Sequence, residues 1–202
     1  MRKHQEPLAQ IIKPSYGDFW SVAFSPDCKL LAIGLYSGIV ELWDLASATI
    51  ALRSRLKVHS NGVRHVAFSP DGKLLAFGSH DGTVGLWDLT AAALHSLLQG
   101  HSSGVRSVTF SLDGKLLASG SGSGTVRLWD LTTAVEVQYS QFGFRLDGIL
   151  GMEFLPDGKL LVCGTDRMVR LWDLTTATEV QQNLGYLHSS ICVAFSPDGK
   201  MQ

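Results

Sequence analysis

Four Trp-Asp pairs set the beat of this chain. Trp43, Trp87, Trp129 and Trp172 each precede an aspartate and stand 44, 42 and 43 residues apart. A strand-rich pattern with this period is that of four-stranded β-units stacked one after another, not of helical or leucine-rich repeats. Each pair closes one copy of a longer pattern. The clearest copy is GHSSGVRSVTFSLDGKLLASGSGSGTVRLWDL at residues 100–131. Related copies occupy 61–89, 19–45 and 149–174, and a partial one, ICVAFSPDGKMQ, occupies 191–202.

Within a copy the residues read as β throughout. Val105, Val108 and Phe110 are the apolar positions of a first strand, and the SLDG and SPDG segments that follow such strands suit a tight reversal. In SPDG, proline fits the second turn position and glycine supplies a positive φ. Leu116, Leu117 and Ala118 then form an unbroken apolar run, the mark of a strand covered on both faces. Gly-rich residues 120–124 turn the chain into Val126, Leu128 and Trp129. The fourth strand is written less clearly, in segments such as Leu94 to Leu98 and Val135 to Tyr139. An outer strand with one edge in water tolerates that variation.

These copies resemble the WD-repeat β-propeller family, named for the Trp-Asp pair, and the likeness covers residues 19–202. The fold class it implies is all-β, a propeller of four-stranded antiparallel blades in an incomplete ring of four blades plus a partial fifth. The blades are expected at about 19–58, 63–99, 105–140 and 149–183, with the partial blade at 191–202. Residues 1–7 read as a polar arm, and Leu8 to Lys13 match an outer-strand slot that would share in closing the ring. The apolar strands KLLAIG and KLLVCG run to the first and last blades without a polar capping repeat. Open apolar faces there would favour self-association.

Composition agrees with a packed chain: 45% of the residues are hydrophobic and 17% charged. A net charge of −1 argues against a broadly cationic nucleic-acid binder. On β-period grounds, Arg53, Arg55 and Lys57 form the outward side of a fourth strand, a solvated edge rather than a patch for an acidic partner or RNA. Cys28, Cys163 and Cys192 are widely spaced and read as reduced thiols in strands or turns. No apolar run approaches a membrane span, and the expectation is a cytosolic or nuclear protein.

The resemblance further implies a hydrogen-bonded tetrad in each blade: histidine, a hydroxyl, aspartate and the tryptophan. No copy carries it whole. The second has His59, Asp81 and Trp87 with Phe77 at the hydroxyl position; the third has His101, Ser119 and Trp129 with Ser123 in place of aspartate. In the first, Ser15, Ile33 and Ser37 stand with Trp43; in the fourth, Arg145, Cys163 and Asp166 stand with Trp172. With these bonds missing, the blades are expected to depend on apolar strand packing.

Read as chemistry, His59 with Asp81 and His101 with Ser119 are halves of catalytic constellations, but one repeated structural slot accounts for both pairs. GSGSG at 120–124 precedes a strand where a phosphate loop needs a helix. No zinc-ligand spacing is present, so the expectation is no enzyme, no metal and no cofactor. What remains is the rim formed by the loops before each first strand and between second and third strands, where the resemblance implies a protein or peptide partner. Carried over by position, its residues are Trp20, Arg64, Arg106 and Leu150, with Tyr36, His80, Gly122 and Thr165 in the turns. Trp20 and Tyr36 beside arginines are the residue types of binding hot spots, while Trp20 could equally pack beneath an N-terminal strand. Two other readings stand beside the scaffold: a fragment of a larger signalling protein, and a hydrolase-type propeller.

Overall fold

The computed structural model describes residues 12–15, 17–47, 49–133, 135–137, 142–143, 148–165, 169–176 and 178–180. All elements among them are strands joined by turns; no helix is long and apolar enough to cross a membrane. The first blade is β1 (Phe19–Phe24), β2 (Leu30–Leu35), β3 (Ile39–Asp44) and β4 (Ala51–Lys57). The second is β5 (Val63–Phe68), β6 (Leu74–Ser79), β7 (Val84–Asp88) and β8 (Ala93–Leu98). The third holds β9 (Val105–Phe110), β10 (Leu116–Ser121) and β11 (Thr125–Asp130), and the fourth β14 (Ile149–Phe154), β15 (Leu160–Thr165), β16 (Val169–Asp173) and β17 (Thr178–Val180). Every pairing is antiparallel, in chain order. The third blade departs from expectation at its outer lane, which is split into β12 (Val135–Glu136) and β13 (Phe142–Gly143), both paired with β11.

The first strands, β1, β5, β9 and β14, pack successively against one another and carry blade-to-blade contacts; among the described residues the ring is not closed. Three of the core clusters lie between successive blades, and the two others lie on the first and fourth blades alone. Ala32, Val40, Leu42 and Leu56 of the first blade meet Val63, Val66, Leu75 and Phe77 of the second. The approach is close enough to exclude a side chain on the second strand. A Cβ on Gly34 would come within 2.8 Å of Val63 Cγ1, and one on Gly120 within 2.5 Å of Ile149 Cγ2. A hydrogen bond repeats at these seams. Ser21 Oγ accepts from Val66 N at 3.1 Å, His65 Nδ1 from Val108 N at 3.4 Å, and Ser107 Oγ from Met152 N at 3.1 Å. Each contributes about 1 kcal/mol or less. Gly151 occupies the same position in the fourth blade and has no side chain to offer.

The first-blade face differs from expectation in where its exposure falls. Leu31, Ile33 and Leu35 of the KLLAIG strand are buried, packed with Ile12, Ile39, Trp43 and Leu45. Instead Phe19, Val22 and Phe24 of β1 stand 53%, 51% and 60% exposed. Their counterparts in β5, β9 and β14 are covered by the preceding blade. On the fourth blade Val162 and Cys163 are buried. The arm at 1–7, most of Leu8 to Lys13, Cys192 and the partial blade at 191–202 lie outside the described residues.

Candidate interaction rim

In the first three blades the loop before the first strand is tied to the turn between second and third strands of the same blade by one backbone bond. Tyr36 N donates to Asp18 O at 3.0 Å within the first blade, and His80 N to Gly62 O and Gly122 N to Gly104 O, each at 2.9 Å, do the same in the next two. These bonds hold the starts of β1, β5 and β9 beside the turns of their own blades, so the repeat-matched residues share one rim.

On that rim the first and second blades meet through side chains. The Trp20 and Tyr36 rings lie edge to face with centroids 4.8 Å apart, and Arg64 Cζ sits 4.2 Å from the Trp20 ring centroid. Gly62 makes the meeting possible: a Cβ there would fall 2.8 Å from the indole and 2.9 Å from Tyr36 O. Trp20 remains 40% exposed and Tyr36 is open to solvent. Arg64 is half-buried, its Nε enclosed without a hydrogen-bond partner. Burial, and secondly the charge of Arg106, hold its guanidinium below the usual arginine range. Arg106 runs past Gly122 and Gly148, where Cβ atoms would come 3.2 Å from its Nε and 2.8 Å from its Nη1. His80 is exposed and Leu150 half-buried. Thr165 is fully buried at the end of β15 and presents no side chain to this surface.

Behind the rim, the tetrad positions are filled by substitutes that sequence reading missed. In the third blade Ser119 Oγ takes the Trp129 indole N–H at 2.8 Å and lies 2.8 Å from His101 Nε2. His101 Nδ1 lies 3.0 Å from Thr125 Oγ1, itself 2.7 Å from Ser121 Oγ, so a hydroxyl cluster does the work of aspartate. Burial, then the Arg127 charge, push the His101 pKa down to about 4. In the second blade the Phe77 carbonyl stands in for the missing hydroxyl, 3.1 Å from His59 Nε2. His59 Nδ1 reaches Thr83 Oγ1 at 2.8 Å, and Asp81 accepts from Thr83 Oγ1 at 2.6 Å and Ser60 N at 3.0 Å.

In the first blade Arg55 is exposed, as read, and it also answers a buried charge. Glu41 on β3 is fully buried and accepts from Arg55 Nε at 3.2 Å and from the Trp43 indole at 3.2 Å. Arg55 Nη2 also donates to Ser15 Oγ at 2.6 Å. A buried carboxylate demands a partner, and the fourth strand supplies it. Arg127 with Glu136 and Arg170 with Glu179 repeat the cross-strand pair with the signs exchanged. Polar contacts therefore support apolar packing in blades expected to lack them. Asp166 and Arg145 lie outside the described residues.

The Trp-Asp aspartates serve the turns to the fourth strands. Asp88 Oδ1 accepts from Thr90 N at 2.7 Å, and Asp130 and Asp173 make the same contact with Thr132 and Thr175. Among the described residues no group of three histidine, cysteine or acidic side chains comes together.

Antiparallel four-stranded blades, a Trp-Asp pair ending each third strand and the His-Ser-Trp cluster define a repeat propeller, and comparison with protein families agrees. The profile described as WD domain, G-beta repeat matches residues 7–44, 51–88, 93–130 and 140–173. The chain belongs to this family. The matched units begin near outer strands, one strand ahead of each blade, so sequence repeat and blade are offset. No curated protein matches the chain. Proteins built of these repeats are generally protein-interaction scaffolds and typically not enzymes.

Proposed function

We propose that this chain is a non-catalytic scaffold that presents the rim of Trp20, Tyr36, Arg64, His80 and Arg106 to a protein or peptide partner. The observation that carries this reading is the stack of Arg64 on Trp20 against Tyr36. Two exposed aromatic rings and a half-buried guanidinium, held by strands of two blades, are the ingredients of an interface hot spot. His59 and His101, behind the rim, are engaged by Thr83 Oγ1 and the Phe77 carbonyl and by Thr125 and Ser119 hydroxyls, which supports a structural role for them. Leu150 extends the same row on the fourth blade.

The test is joint alanine substitution at Trp20, Tyr36, Arg64, His80 and Arg106, with Leu112→Ala in an opposite turn as control. A partner captured by the parent chain, identified and purified, is expected to bind the control fully and the multiple variant weakly. Unchanged affinity in a folded multiple variant would remove the rim from consideration.

A further inference from the structure

Three arginines of the blades are answered by carboxylates: Arg55 by Glu41, Arg127 by Glu136 and Arg170 by Glu179. Arg64 and Arg106 are not. Among the described residues neither has an ion pair, although both are half-buried. Enclosing a cation away from water without a counter-charge is costly, and placing a second cation near it adds to the cost. Neighbouring structure nonetheless holds both in place. Arg64 is clamped on the Trp20 face, and Arg106 fills space that Gly122 and Gly148 leave open. On a chain with net charge −1, this is a local concentration of positive charge.

We infer that Arg64 and Arg106 form an anion-recognition pair, and that the rim's partner is a peptide segment bearing aspartate or glutamate side chains. The inference rests on the rim reading above and deepens it. Carboxylate rather than phosphate is favoured by placement. The two guanidiniums occupy the same position on adjacent blades, so each is placed to meet its own carboxylate on an extended peptide. A guanidinium fork matches a carboxylate in two parallel hydrogen bonds. The enclosed Arg64 Nε lacks a partner. Trp20 and Tyr36 then offer apolar contact beside the ionic one.

The experiment measures fluorescence anisotropy of a labelled peptide of glutamates separated by alanines, against its glutamine counterpart, a phosphoserine counterpart and a single-stranded RNA. The glutamate peptide is expected to bind the full chain at least about tenfold more tightly than the glutamine peptide, with affinity falling as salt rises. Arg64→Gln with Arg106→Gln is expected to abolish that preference, whereas Arg53→Gln with Lys57→Gln on β4 leaves it intact. Thermal denaturation checks that the variants fold; if Arg64→Gln does not, Arg106→Gln alone with the salt titration decides the matter. Equal binding of glutamate and glutamine peptides, undiminished binding by the double variant, or preference for phosphoserine or RNA would each overturn the inference. A purified partner that needs Trp20 and Tyr36 but is not displaced by the glutamate peptide would overturn the acidic class and leave the rim standing.

Discussion

His101 shows how a structural slot acquires a pH dependence. Its ring lies between Ser119 and Thr125 and near Arg127, and the folded chain holds its pKa at about 4 against an ordinary 6.5. Above pH 6.5 both folded and unfolded forms leave it neutral, and the group costs nothing. As pH falls from about 6.5 to about 4, the unfolded chain takes up a proton that the folded chain refuses, and stability drops. A depression of this size corresponds to a loss on the order of 3 kcal/mol at most. His59 and His65 shift in the same direction, chiefly through burial. Denaturant unfolding from pH 7 to 4.5 is therefore expected to show falling stability, with a shallower slope in His101→Gln, which keeps polar contacts but cannot titrate. Equal slopes would mean that His101 is not the responsible group.

At the scale of strands and turns, the reversals between first and second strands share one set of bonds. Ser25, Ser69 and Ser111 donate from Oγ to Asp27, Asp71 and Asp113 at 2.7 Å, and each aspartate accepts the lysine amide two residues on. The residue between aspartate and lysine takes positive φ: 70° at Gly72, 69° at Gly114 and 67° at Gly158. In the first blade it is Cys28, at 56°. A side chain in the left-handed region costs roughly 1–2 kcal/mol. Cys28→Gly recovers part of that and loses some to unfolded-chain entropy, so a rise in Tm of roughly 2–4 °C is expected by calorimetry. A lowered Tm would show that the thiol makes a contact worth more than the strain.

These elements were readable because their determinants are local. Tryptophan spacing, SPDG turns and apolar runs specify blades within a few residues of each other. The rim was readable only as positions: repeat alignment placed Trp20, Arg64 and Arg106 at equivalent sites, but not the stack between two blades. The tetrad substitutes were hidden for a similar reason. Glu41 finds Arg55 on the next strand, and Thr83 and Thr125 lie two residues beyond the aspartate slot, where no one-to-one carry-over looks.

For the whole molecule, the exposed triplet Phe19, Val22 and Phe24 matters most. Covering such side chains contributes roughly 1.5–3 kcal/mol each, and in the three later blades the equivalent residues are covered by another blade. A second copy of the chain is expected to cover them here, since every copy brings the same apolar surface to the encounter. Sedimentation at micromolar concentration should find association that Val22→Thr with Phe24→Ser weakens, together with hydrophobic dye binding. A parent chain that sediments as a monomer and binds no dye would refute this.

Near-identical blades also pose a problem of choice during folding, because VAFSPDG at 66–72 and its relatives are able to pair with strands of the wrong copy. Within the second and third strands the copies differ most at one rung: Ile33 opposite Glu41, Phe77 opposite Gly85, Ser119 opposite Arg127 and Cys163 opposite Arg170. Phe77 occupies the space a side chain at 85 would need, since a Cβ there would lie 2.4 Å from its ring. Its strand laid on β11 would drive that ring into Arg127, and β2 laid on β7 would leave Ile33 facing a void. Each blade thus carries its own key at the same rung, and mismatched partners are penalised while correct ones are not.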